Sequence, residues 1–242
     1  MGNVIVVYAI DALEHILVEK FQNKNLMQTT YGKTDITQFS QPRTMVLWSS
    51  FMTCEDKEQA VLSLGDEKMW GVRWPLEETF FKEFKNPKII DLPGFNYDMD
   101  VHDKSRALLK EYFESEDRQT KAEVKKQYNQ DAYQHHRSVK KEFLESLEDG
   151  HDFVLGYFSA ADVLGHLNFG NKTMMRMIYK DLDEIAAEVQ KKTDKILVLS
   201  DHGMKAIGEF GDHSEYGFYS TSWESNLEHP RITDFGDILT RL

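Results

Sequence analysis

Four short, nearly unbroken apolar runs, at residues 4–10, 88–92, 152–158 and 195–199, constrain the architecture of this chain more than any other feature. Runs of that length without polar alternation suit strands covered on both faces. Each is separated from the next by helical or charged stretches, and that alternation predicts an α/β fold, a three-layer α/β/α sandwich around a mostly parallel sheet. The first run passes Asp11 into an amphipathic stretch over 12–21, the second stops at Pro93-Gly94, and residues 217–220 are expected to add a last strand. At 242 residues, with 40% hydrophobic and 29% charged residues, the chain suits a single folded domain over 1–242.

Residues 103–149 stand apart, being highly charged and free of Gly and Pro. Val124, Tyr128, Ala132, His136, Val139, Phe143 and Leu147 recur there at three- or four-residue spacing, one apolar stripe on a solvated helix. Two readings stay open: a helix packed on the sheet, or a helical insertion over about 98–150 that lids a site. His135 and His136 on this helix read as solvated or packing residues. Trp48, Phe51, Trp70 and Trp74 read as core rather than as a stacking platform.

Lys and Arg number 29 against 41 Asp and Glu, a formal charge of −12, which disfavours duplex nucleic acid and anionic membranes as partners. A local cluster of aspartates would still attract divalent cations, and a bound ion reverses the local sign, so an anionic substrate remains compatible. The single cysteine, Cys54, excludes an internal disulfide and a thiolate zinc knuckle, leaving imidazole and carboxylate as metal ligands. That usage suits a reducing cytoplasm. The apolar start, with neither a basic leader nor the length to span a bilayer, reads as a strand.

Asp11, Asp162 and Asp201 all fall at or just beyond the carboxyl ends of expected strands, where open α/β sheets bind ligands. Asp162 and His166 stand four apart, so one helical turn would put carboxylate and imidazole on one face, as metal ligands or as a plain surface pair. Asp11 and His15 share that spacing, and His15 reads as a surface helix residue. Asp201-His202-Gly203 leaves a buried run with two polar groups that need partners, which a metal or a capped turn would supply. His213 follows in a Gly-rich polar loop, where a histidine by itself is usually exposed. Two zinc ions need about seven or eight ligand positions, and Asp11, Asp162, Asp201, His166, His202 and His213 provide six. Tyr216 or Tyr219 is a further candidate for reaching substrate.

In their order along the chain, Asp11, Asp162-x-x-x-His166, Ser200-Asp-His-Gly-Met204 and His213 resemble the ligands of the alkaline phosphatase superfamily, and most of all its type I phosphodiesterase/nucleotide pyrophosphatase branch. The stretch 42–53 is similar to the nucleophile segment of that branch, in which a threonine four residues before a Trp opens a helix, here Thr44 before Trp48. The resemblance implies an alkaline-phosphatase-like fold and a hydrolase with Thr44 as nucleophile. It implies one divalent ion on Asp11, Thr44, Asp201 and His202, and a second on Asp162, His166 and His213. Zinc is preferred for three histidines, with manganese acceptable. The substrate would be a small phosphorylated molecule, a nucleotide among the candidates, and diester cleavage ranks ahead of monoesterase or mutase activity. A metal- or nucleotide-binding sensor without turnover is the non-enzymatic alternative. Ala12 and Cys54 depart from glycines common in the branch, but neither departure removes a ligand. The sequence leaves the oligomeric state open.

Overall fold

The computed structural model describes residues 4–242. In chain order its elements are β1 (Ile5–Ile10), α1 (His15–Phe21), β2 (Thr30–Asp35), α2 (Thr44–Thr53), α3 (Glu58–Leu62), β3 (Pro87–Ile90), α4 (Met99–Glu114) and α5 (Arg118–Ser146). There follow β4 (Phe153–Phe158), α6 (Ala160–Asn168), α7 (Lys172–Gln190), β5 (Ile196–Leu199), β6 (Met204–Ile207), β7 (Phe210–His213), β8 (Tyr216–Thr221) and α8 (Phe235–Leu239).

Six strands form one sheet in the order β2-β8-β5-β1-β4-β3. The four strands β5, β1, β4 and β3 run parallel, β8 is antiparallel to β5, and β2 is antiparallel to β8. Side chains of a strand alternate between its two faces, and β1 divides accordingly. Val7 and Ala9 join a core with Trp48 and Phe51 of α2 and Phe235 of α8. Val6, Tyr8 and Ile10 join the opposite core with Phe143 of α5, Leu164 of α6 and Leu182 of α7. With helices on both sides, an unbroken apolar run is the only pattern that buries both faces. Helix α5 approaches β4 closely because Gly156 lacks a side chain: a Cβ there would lie 2.5 Å from the Phe143 ring.

The expected strands, including the last, are present, and Thr44 opens α2 as the first helical residue. Four features differ from the sequence reading. The charged stretch is two helices, because Ser115 leaves helical geometry and Asp117 starts a new N-terminus by accepting the Thr120 N–H at 2.7 Å. Helix α1 begins at His15 rather than at 12, since Ala12 is left-handed at φ 56° and Glu14 caps the helix by accepting the Ile16 N–H. The segment after Gly203 is no loop but the hairpin β6–β7, with Met204 opposite His213. Finally, β2 is a polar edge strand that the sequence reading leaves unassigned.

Since β1, β3, β4 and β5 are parallel, their carboxyl ends share one edge of the sheet. Asp11, Asp91, the α6 turn carrying Asp162, and Asp201 follow these ends in turn. Among the described residues, no helix is long and apolar enough to cross a membrane.

Candidate functional site

All seven residues singled out by the sequence gather at this edge, each with a side-chain polar atom within 3.6 Å of another's. Side-chain ligand atoms of Asp162, His166 and His213 lie within 4.8 Å of one another, as do those of Asp11, Asp162 and His202. Asp162 therefore stands between the two triads. On the α6 helix the four-residue spacing places His166 Nε2 3.3 Å from Asp162 Oδ2, and His213 Nε2 reaches the other oxygen at 3.6 Å. His202 Nε2 is 3.4 Å from Asp11 Oδ1, from Asp201 Oδ2 and from Thr44 Oγ1.

The backbone fixes the orientation of each imidazole. His166 donates Nδ1–H to the Gly211 carbonyl at 3.2 Å, His202 to Gly203 at 3.0 Å, and His213 to Pro42 at 2.9 Å. In the neutral ring each donation leaves Nε2 as a lone pair aimed at the cluster, the tautomer that a metal ligand requires. The His213 bond also ties the β6–β7 hairpin to the turn before Thr44.

The carboxylates carry the complementary signal. Asp11 Oδ1, Asp162 Oδ1 and Asp201 Oδ2 are buried without a hydrogen-bond donor. Such groups are costly unless another partner meets them. Burial, reinforced by the Asp201 and Asp162 carboxylates, pushes Asp11 well above the usual carboxylate range. Burial and the Asp162 charge push Asp201 up to about 7. Burial opposes ionisation of Asp162 too, but His166, His213 and His202 outweigh it and hold that group below the usual range. Asp162 in turn raises His166 to about 9, while burial lowers His202 and His213. Orphaned oxygens facing oriented imidazoles fit divalent cations of the zinc class, with oxygen and nitrogen donors and no thiolate.

Several polar contacts that the sequence reading omitted hold this set in place. Tyr157 donates to Asp11 Oδ2, turning Oδ1 towards His202. The left-handed Ala12 brings its N–H to Asp201 Oδ1 at 3.4 Å. Glu14, 4% exposed, accepts from the Met204 N–H and the Ser214 hydroxyl through one oxygen and from Tyr216 through the other. No spacing rule announces these partners, because each comes from a different element.

Thr44, 5% exposed, sits where two cavities meet. One, of about 600 Å³, is lined by Arg43, Thr44, Arg106, Lys205 and His213. The other, of about 480 Å³, lies under α4 and α5 and also reaches Asp11, Asp162 and His166. The Phe143 end of α5 packs on the sheet, while its Tyr128–His135 portion lines this second cavity.

Other expectations need correction. His135 is neither solvated nor mere packing: it lines the cavity and donates Nε2–H to Asp91 Oδ2 at 2.7 Å. His136 does pack, bonded to Asp181 at 2.6 Å. His15 is not a free surface residue, with a side chain 14% exposed beside the Phe218 ring. Trp70 packs half-buried against the core and also lines the cavity, its ring tilted over His102 with centroids 4.0 Å apart. Tyr219 is spent on the Leu227 carbonyl at 2.7 Å and Tyr216 on Glu14 at 2.5 Å, and neither lines a cavity that holds Thr44.

A mostly parallel α/β sheet with a buried Asp/His cluster and a helix-opening threonine at its carboxyl edge defines an α/β protein with a candidate metal centre. The profile of the type I phosphodiesterase/nucleotide pyrophosphatase family matches residues 28–224, and the chain belongs to that family. The matched span holds every singled-out residue except Asp11. No curated protein matches the chain. Among solved structures, murine ectonucleotide pyrophosphatase/phosphodiesterase 5 is matched at 14% identity and a TM-score of 0.48, over 85% of this chain and 58% of that one. An inactive variant of the same murine protein, in complex with AMP, is matched at 12% identity and a TM-score of 0.47, over 86% and 59%. The chain thus spans less than two thirds of the length of that relative.

Proposed function

We propose that this protein is a hydrolase of phosphate esters, a phosphodiesterase or nucleotide pyrophosphatase, with Thr44 as its nucleophile. In this reading Asp11, Thr44, Asp201 and His202 hold one divalent ion and Asp162, His166 and His213 a second, zinc preferred and manganese acceptable. The observation that carries it is the convergence of three donorless buried carboxylate oxygens and three oriented Nε2 atoms beside a hydroxyl at a helix start. When bound, the ions would offset the buried negative charge, favour the ionised threonine hydroxyl and polarise the phosphoryl oxygens.

The chain's own groups do the rest. Thr44 Oγ attacks phosphorus as the bond to the departing alcohol oxygen breaks; the hydroxyl proton passes to solvent, and the departing alkoxide takes one up. Water then cleaves the resulting phosphothreonine ester and restores the hydroxyl. At the start of α2 the first backbone N–H groups have no helical acceptor, so they can donate to phosphoryl oxygens. Arg43, Arg106 and Lys205 line the outer cavity beside Asp212 and Glu215, and Arg106 is the basic group there with no ion pair among the described residues. We read the chain as one domain whose α4–α5 pair is the insertion or lid that walls the pocket for the substrate's organic group, and as a cytoplasmic protein.

The test compares bis-p-nitrophenyl phosphate with p-nitrophenyl phosphate, using metal-stripped protein restored with zinc or manganese. Wild type should cleave the diester faster, and Thr44→Ala should lose at least about 10³-fold in kcat while retaining bound metal. Equal turnover by wild type and Thr44→Ala would remove Thr44 from the reaction.

A further inference from the structure

The pair formed by Asp91 and His135 lies outside the proposed ligand set and has no part in the steps above. Asp91 follows the carboxyl end of β3, left-handed at φ 58°, on the same sheet edge as Asp11 and Asp201. Its side chain is 8% exposed: Oδ1 accepts the Asp98 N–H at 2.9 Å and Oδ2 accepts His135 Nε2–H at 2.7 Å. Asp98 in turn caps α4 by accepting the Asp100 and Val101 N–H groups. One carboxylate thus joins the sheet edge to both helices above the site and fixes the face that His135 presents. Among the described residues no group bonds His135 Nδ1, and the ring lines the cavity shared with Thr44, Asp11 and Asp162.

The surroundings select the chemistry of what His135 could meet. Tyr97, Leu108, Leu109, Phe113 and Tyr128 give the cavity apolar walls suited to an organic group. Asp131, one helical turn before His135, lines the same space but is paired with Lys104 at 2.9 Å, and Arg106 and Lys110 line it as well. A hydroxyl can donate to a neutral Nδ1 or accept from a protonated one, so it suits His135 in either state.

We propose that His135, oriented by Asp91, is a specificity-determining residue that hydrogen-bonds a hydroxyl on the organic group esterified to the phosphate. This rests on the hydrolase reading above. The probes are the p-nitrophenyl esters of thymidine 5′-phosphate and of 3′-deoxythymidine 5′-phosphate, which differ by one hydroxyl and release the same chromophore. Zinc-loaded wild type should favour the hydroxylated ester by about three- to tenfold in KM, the range of one hydrogen bond. In His135→Ala that ratio should fall to about one. Should His135→Ala fail to fold, His135→Phe keeps the ring volume and removes both nitrogens. Calorimetric binding of the two free nucleotides should give the same ratio and the same loss. A ratio near one in wild type, or one that persists in the variants, overturns the assignment. Absence of turnover of both esters counts against the hydrolase reading, whereas the binding ratio judges His135 by itself.

Discussion

At the scale of single residues, the proposed metal centre depends on groups that would not themselves hold an ion. Tyr157 is the clearest case: burial keeps its hydroxyl far above its usual pKa, so it remains a donor to Asp11 Oδ2. Its ring also packs edge-on against Trp48, with centroids 5.7 Å apart. Tyr157→Phe preserves that packing and deletes only the hydroxyl, leaving the outer oxygen of Asp11 buried without a donor. Loss of such an outer partner commonly weakens metal binding by about 10- to 100-fold. Zinc titration against a competing chelator should show that loss for one of two ions, with the far-UV spectrum unchanged. Wild-type affinity for both ions would mean that the Asp11 rotamer is held by packing alone.

Among elements, the β6–β7 hairpin has the largest consequence for its size, for it carries His213 and supplies the Gly211 carbonyl that orients His166. Its attachment is polar: Glu14 at the start of α1 accepts from Met204 and Ser214 at its two ends. Glu14→Ala should therefore disturb His213 and His166 together and lower the metal content measured by elemental analysis from two ions towards one per chain. Two tightly held ions in that variant would refute this link. The same hairpin shows where sequence reading stops. The buried strands were legible because both of their faces are covered, and Asp162 and His166 because helical spacing is local. Residues 204–213 have one buried end, exposed residues at 205–207 and no alternation, so only long-range contacts with Glu14 and α6 make them strands. Similarly, α5 is 29 residues, about 43 Å long, and uses different faces at its two ends. The stripe through Val139 and Phe143 finds the sheet, while Asp131 and His135 on a neighbouring stripe find the cavity. Asp91 was hidden for a different reason, since its partners lie 7 and 44 residues away.

For the whole molecule, the buried aspartates couple folding to pH and to metal. In metal-stripped protein, burial raises Asp201 to about 7 and Asp11 well above its ordinary value, and Asp162 raises His166 to about 9. An unfolded chain ionises its aspartates near about 3.9 and its histidines near about 6.5. Above about pH 6.5 the folded state therefore retains protons on these groups that the unfolded state has released. Stability falls with rising pH wherever the folded state binds more protons. The opposing groups weigh less in this range, and the lowered Asp162 has contributed in full below it. The lowered His202 and His213 add stability only until unfolded histidines finish releasing their protons, within about one pH unit above 6.5, where the retained protons on Asp11, Asp201 and His166 outnumber theirs. Stripped protein should thus show a Tm that declines from about pH 6.5 to about 8.5. Metal binding requires the same carboxylates ionised and the imidazoles neutral, so its affinity rises as protons leave. A ligand that binds only the folded chain stabilises it according to that affinity, and zinc-loaded protein should gain most in Tm where the stripped protein is weakest. Thermal scans of both forms across this window decide the matter: a stripped Tm that is flat or rises with pH would show that the carboxylates share no proton and that cations are not what relieves their burial.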